Sequence, residues 1–245
     1  TTKFIYFIIP STLMLDVLNF LKKKDKPVNI KHMAISVKDV ISWAKKNEKS
    51  YEDAFFRRNT IITDIVGLMI KKNIPIVTIF LLSEKDEKTE YHDVIVESLT
   101  EFFSQLKEEK VINNNKIRIS VLGKWYSLPG MVVESIKQMI DKTKEYDNFF
   151  LNFCVNYDGR EEITDAFNLI HNEFKDLGIQ NQPKLNKDII KENTYSSYFI
   201  PPEIIIETGK DHKFSGVLLW DSVGAKIFFI DKMFPEIKKD DFEGI

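Results

Sequence analysis

Lysines, histidines and carboxylates are the groups of this chain whose chemistry could serve a ligand, and their spacing limits which ligand. From Glu207 to Ser215 the chain reads Glu-Thr-Gly-Lys-Asp-His-Lys-Phe-Ser, and its Lys210 and Lys213 could hold an isolated phosphate as point charges. The same stretch also reads as a solvated turn. The four histidines, His32, His92, His171 and His212, are scattered, with no partner at the short spacings of metal sites. No Ser-His-Asp arrangement is suggested. His32 opens an apolar run and reads as a hydrogen-bonded histidine at a strand start. The lone Cys154, inside Phe-Leu-Asn-Phe-Cys-Val, cannot make an internal disulfide; it reads as a buried small apolar residue and fits a reducing compartment. Lys+Arg of 35 against Asp+Glu of 37 gives a net charge of −2, without the concentrated basic surface that nucleic acid requires.

The elements that must position these groups are legible as alternating patterns. The chain has 245 residues, 43% of them hydrophobic and 12% aromatic, enough for one large α/β domain. Apolar runs at Ile30 to Val37, Ile74 to Leu82, Lys116 to Leu122 and Phe149 to Val155 predict strands buried on both faces. Between them, helical spacing predicts helices over Tyr51 to Lys72, Glu90 to Glu109, Gly130 to about Glu145 and Glu161 to Leu177. Gly178 to Asn193 reads as a surface connection with a short helix near Asp188, and Glu203 to Glu207 and Ala225 to Ile230 add two strands. Such alternation implies β-α-β units, hence a single domain with a mostly parallel central sheet of about six strands covered by helices on both faces.

Residues 1–29 form a separate apolar or amphipathic segment before the 30–245 domain. Leu13, Val17, Phe20 and Leu21 recur at helical spacing, either as a core-packing helix or as one whose apolar face meets a membrane surface beside Lys22, Lys23 and Lys24. With Pro10, Asp16 and Asn19 inside it, the segment is too polar to span a bilayer.

Several motifs then occur in order. His32-Met33-Ala34-Ile35, followed at fixed distance by Trp43-Ala44-Lys45-Lys46, resembles the H-x-A-x-x-M-D-G-N-x-R-W-A-K signature of cis-prenyltransferases, the family of undecaprenyl and dehydrodolichyl diphosphate synthases. Ile117-Arg118-Ile119 with Leu128-Pro129 is similar to the family's I-R-x-x-G-x-x-x-x-L-P. Asn156-Tyr157-Asp158-Gly159-Arg160-Glu161-Glu162-Ile163 is similar to N-Y-G-G-R-x-E-I, and Leu218-Leu219-Trp220, Phe228-Phe229, Phe234-Pro235 and Asp241-Phe242 resemble the C-terminal run. The resemblance implies the fold above and a pocket where an allylic diphosphate ionises with Mg²⁺ while isopentenyl diphosphate attacks.

It also implies that the site is degenerate. The family's metal-binding Asp falls on Lys38, the Gly after it on Asp39, and the phosphate-binding Arg on Ser42. The His after the first loop falls on Phe55. The S-T-E-N segment becomes Ser83-Glu84-Lys85-Asp86, and the arginine beyond it falls on Thr89. In the late R-T-S-G-E-x-R-x-S-N segment, the first Arg is Glu207, Thr208 is kept, the second Arg is Lys213 and the Ser is Ser215. The metal-binding Glu before the last strand falls on Lys226. By this reading Glu207 faces phosphate and Lys226 faces a metal, each with the wrong sign. No residue is left for catalysis, and Ser83, Lys213 and Ser215 remain for substrate.

The expectation is a non-catalytic subunit, similar to the Nogo-B receptor type, paired with a catalytic cis-prenyltransferase in a hetero- or homodimer that makes long-chain polyprenyl diphosphate for dolichol. It needs no cofactor of its own and no nucleic acid. A cytoplasmic location follows, with the cytosolic face of the endoplasmic reticulum as the candidate surface. Two alternatives stay open: a paralogue recruited as a binding or scaffold protein, and a transferase using Mg²⁺ through Asp39, Asp211 and Lys213.

Overall fold

Short runs rich in Ile, Val and Phe supply the strands, because β-branched and aromatic side chains suit a pleated surface packed on both sides. In the computed structural model, which describes residues 30–83, 89–177 and 183–242, these are β1 (His32–Ser36), β2 (Ile76–Phe80), β3 (Ile117–Leu122), β4 (Phe149–Cys154), β5 (Ile204–Thr208) and β6 (Lys226–Ile230). They form one parallel sheet in the order β3-β4-β2-β1-β5-β6. The expected N-terminal segment, 1–29, lies outside the described residues, as do Glu84, Lys85 and Asp86.

The helices follow the apolar periodicity. They are α1 (Val40–Lys46), α2 (Tyr51–Lys72), α3 (His92–Leu106), α4 (Lys110–Asn114), α5 (Gly130–Thr143), α6 (Gly159–Leu177) and α7 (Lys187–Glu192). Ser50 starts α2 by accepting the Asp53 N–H at 3.0 Å, and Asn73 ends it in the left-handed region at φ 53°. Its Ala54, Phe55, Ile61, Ile62, Ile65, Val66 and Met69 make one buried stripe. That stripe and the apolar sides of α3 and α5 cover one face of the sheet, over Met33, Ile35, Ile79 and Phe153. A smaller cluster around Phe80, Cys154, Tyr157 and Leu218 lies on Ala34 and Ile205 of the other face.

Two elements differ from the sequence expectation. Helix α1 was not foreseen: Asp39, at φ 63°, turns the chain straight out of β1 into seven helical residues whose first two are the poor helix formers Val40 and Ile41. The helix expected over Glu90 to Glu109 stops at Leu106, and the chain restarts as α4 after Glu109. The short helix near Asp188 is present, started by Asn186, whose Oδ1 accepts the Asp188 and Ile189 N–H groups at 2.9 and 3.0 Å. Among the described residues no helix is long and apolar enough to cross a membrane.

Candidate functional site

In parallel sheets, ligands collect outside the carboxyl ends of the strands, where adjacent connections diverge. Here β1 lies between β2 and β5, and the loops leaving these strands and β4 surround a cavity of about 790 Å³. Lys38, Asp39, Ser42, Phe55, Ser83, Thr89, Lys213 and Ser215 all line it, so the structure brings together eight of the positions singled out in sequence.

The two sign-reversed positions Lys38 and Glu207 prove to be partners. The Lys38 ammonium lies 3.2 Å from Glu207 Oε2 and 3.4 Å from Asp211 Oδ1, and also donates to the Lys213 carbonyl. Glu207 does not face the cavity, as the sequence reading had it. It is fully buried beneath Lys38, where Oε2 also accepts from Ser36 Oγ at 2.6 Å and Oε1 accepts from Ser215 N and Oγ at 2.9 and 2.7 Å. A buried carboxylate is tolerated when its lone pairs are filled and a cation is in contact, and all these partners come from this chain. Thr208 ties the same strands, its N–H donating to Ser36 Oγ at 3.1 Å and its hydroxyl to Ser36 O at 2.8 Å.

Lys226 is a second correction. It is the first residue of β6, paired with Ile204 at the amino end of β5, exposed, and at the opposite end of the sheet from Lys38. Strand direction accounts for this, since the amino end of a parallel strand cannot reach the cavity at the carboxyl ends. Lys210 is exposed and does not line the cavity.

The segment from Asn156 mostly supports the site from below. Tyr157 is buried and donates to Glu162 Oε2 at 2.6 Å, while Ser196 N–H donates to Glu162 Oε1 at 3.2 Å. Burial pushes the Glu162 carboxyl above its usual value, against these bonds. Gly159 is required by close approach: a Cβ there would stand 2.3 Å from Gly216 O and 2.6 Å from Leu219 Cβ. Arg160 reaches the cavity but is largely exposed and paired with Asp158 at 3.4 Å. His32 is held as expected for a strand start. Its Nδ1 lies 2.6 Å from Ile200 O and its Nε2 2.8 Å from Thr78 Oγ1, which fits a neutral ring with Nδ1–H donating.

Sequence reasoning missed Arg58. It lies on the buried stripe of α2 one turn beyond Phe55, is 3% exposed, and lines the cavity. It donates to Asn59 Oδ1 from Nε and Nη2 at 3.0 and 2.8 Å and to Ser98 Oγ at 3.0 Å, and its guanidinium stands 4.8 Å from the Phe55 ring centre and 5.5 Å from that of Phe102. Burial alone pushes it down to about 9. An arginine at i+3 and i+4 from buried apolar neighbours was the available signal.

The Mg²⁺ that the resemblance implies does not fit these residues. The ammonium of Lys38 occupies the carboxylate's position and engages both Glu207 and Asp211. A dication about 4 Å from an ammonium would be repelled by roughly 8 kcal/mol at an effective dielectric near 20, an upper-end figure. Among the described residues, no three His, Cys, Asp or Glu side chains gather as a ligand set.

Comparison with known proteins gives a consistent result. Residues 41–245 match the prenyltransferase family model described as undecaprenyl diphosphate synthase. A tritrans,polycis-undecaprenyl-diphosphate synthase (geranylgeranyl-diphosphate specific) of Pyrococcus furiosus is 30% identical over 224 residues, 91% of this chain and 84% of that protein. An isoprenyl transferase of Thermotoga maritima is 28% identical over 213 residues, 86% and 89% of the two chains. In structure, the chain is similar to lavandulyl diphosphate synthase from Lavandula x intermedia, solved in complex with dimethylallyl diphosphate, with a TM-score of 0.80 at 20% identity over 88% of this chain and 93% of that one.

Proposed function

This chain belongs to the undecaprenyl diphosphate synthase family of prenyltransferases, and from the reversed charges of its cavity we propose that it is a non-catalytic subunit, which keeps the family's fold and cavity but works in polyprenyl diphosphate synthesis only beside a catalytic partner. The observation that carries the proposal is the Lys38–Glu207 contact at 3.2 Å. Metal-assisted ionisation needs oxygen ligands free to bind the cation. In this pocket an ammonium satisfies the nearest carboxylates instead. The Ser42, Phe55 and Thr89 side chains offer no charge to a diphosphate at positions where the resemblance expects Arg, His and Arg.

A partner is supported by apolar surface at the β6 edge of the sheet. Val223, just before β6, is 86% exposed, and Ile227 within that strand is also open to solvent. An edge strand flanked by exposed apolar side chains favours association.

The test is incorporation of isopentenyl diphosphate into an allylic diphosphate primer by the purified chain with Mg²⁺. The expected result is no product above a protein-free blank, with activity appearing when a catalytic family member from the same cell is co-expressed and co-purifies. Mg²⁺-dependent chain elongation by the isolated protein would overturn the proposal.

A second reading, an active transferase with an altered site, is favoured by the synthase names of the relatives and by Asp39, Asp211 and Lys213, which all line the cavity. It requires D39N or D211N to abolish the activity of the isolated chain.

A further inference from the structure

The cavity has an unusual floor. Of the buried stripe of α2, only Phe55 and Arg58 line it, one helical turn, and α3 contributes Ile95 and Leu99 opposite them. Deeper α2 residues such as Ile62 are fully buried in the core and do not reach the cavity. The gap between the two helices is crossed at this depth by the Arg58 side chain, whose Nη2 donates to Ser98 Oγ on α3 at 3.0 Å.

Arg58 is therefore a cation at the end of an apolar passage. Two aromatic faces, one amide oxygen and one hydroxyl surround it, and among the described residues no carboxylate pairs with it. A hydrocarbon passing this point would have to displace the bridge to Ser98 and strip the guanidinium of its hydrogen bonds. Both are unfavourable, because a saturated tail offers the freed donors nothing in return.

We propose that Arg58 is the end wall of a binding site for short prenyl groups, admitting a tail of roughly one or two isoprene units beyond the mouth and excluding longer ones. The proposal rests on the prenyl reading of the cavity and names the ligand class that the cavity takes. One turn of α2, about 5 Å, is the wall length available to the tail before it meets the guanidinium.

Calorimetric titration of the full chain tests this with two diphosphate series: dimethylallyl, geranyl and geranylgeranyl diphosphate, and the unbranched n-butyl, n-decyl and n-eicosyl analogues. In each series the wild type is expected to bind the middle member best and the longest at least about tenfold more weakly. R58A should remove that drop, and R58M, which keeps the stem's volume in the core, should reduce it. Equal affinity of the wild type for geranyl and geranylgeranyl diphosphate, or an unchanged profile in both variants, overturns the end wall. If only the unbranched series binds and shows the limit, the wall stands and the prenyl reading falls. If neither series binds, the wall falls too.

Discussion

The Lys38 ammonium and the Glu207 carboxylate, 3.2 Å apart, connect the loop after β1 to the end of β5 as one ion pair with inverted polarity. Two changes that look like separate losses in the sequence are, in space, a single compensated exchange. Either change alone would leave a charge buried without its counter-ion.

Removing one member should therefore cost more than exchanging both. K38M leaves Glu207 buried with only neutral donors, and is expected to lower stability by roughly 3 kcal/mol, the low end for stripping one partner from a buried pair, because Lys38 keeps part of its surface in water. Urea unfolding of K38M, E207Q and the double variant measures this. Single losses that simply add in the double variant would show that the two groups are not coupled.

Restoring the opposite polarity should restore a place for a cation. The K38D/E207R protein is expected to fold and to gain a melting-temperature increase on addition of Mg²⁺ that the wild type lacks. Differential scanning calorimetry with and without the ion decides it, an equal response of the two proteins being the contrary result.

His32 gives a pH signature. Burial depresses its folded-state value below 6.5, outweighing the bond to the Ile200 carbonyl and the pull of Asp221 and Glu203. A depressed histidine is protonated more readily in the unfolded chain, so its contribution to stability is fully present above about pH 6.5 and is lost as the pH falls through the folded value. The wild type minus H32Q difference in unfolding free energy should shrink over that interval, and a difference that grows on acidification would contradict the assignment.

Gly159 should resist substitution for a reason unconnected with backbone angle. The Cβ of G159A would meet the Gly216 carbonyl at 2.3 Å, so either the start of α6 or the 216–219 segment must move. A destabilisation of about 1–3 kcal/mol is expected, typical of overpacking. Unfolding of G159A at wild-type denaturant concentrations would mean that the segment yields freely.

The layered fold was legible because isoleucine-rich runs separated by helical periodicity leave little choice but a parallel sheet. Strand order was not legible, since it depends on which crossovers pass over which neighbours. At the site, motif spacing brought Lys38, Asp39, Ser42, Phe55, Ser83, Thr89, Lys213 and Ser215 to the cavity. It could not tell that Glu207 lies under Lys38, because spacing along a chain carries no information about pairing across strands. Lys226 was misplaced for a related reason: a motif fixes a residue's position in sequence and says nothing of which end of a strand faces the ligand. Arg58 was passed over because a charged residue on an apolar stripe looks like an exception, whereas here it shapes the cavity.

The Ser36–Glu207 hydrogen bond joins residues 171 positions apart. Strand β1 is synthesised well before one of its two neighbours, β5, with three other strands made between them. Throughout translation of the intervening chain, an Ile- and Met-bearing strand destined for the centre of the sheet has one flank without its native hydrogen bonds. The nascent chain thus holds an apolar strand edge open until β5 is made, an edge of the kind that invites non-native pairing.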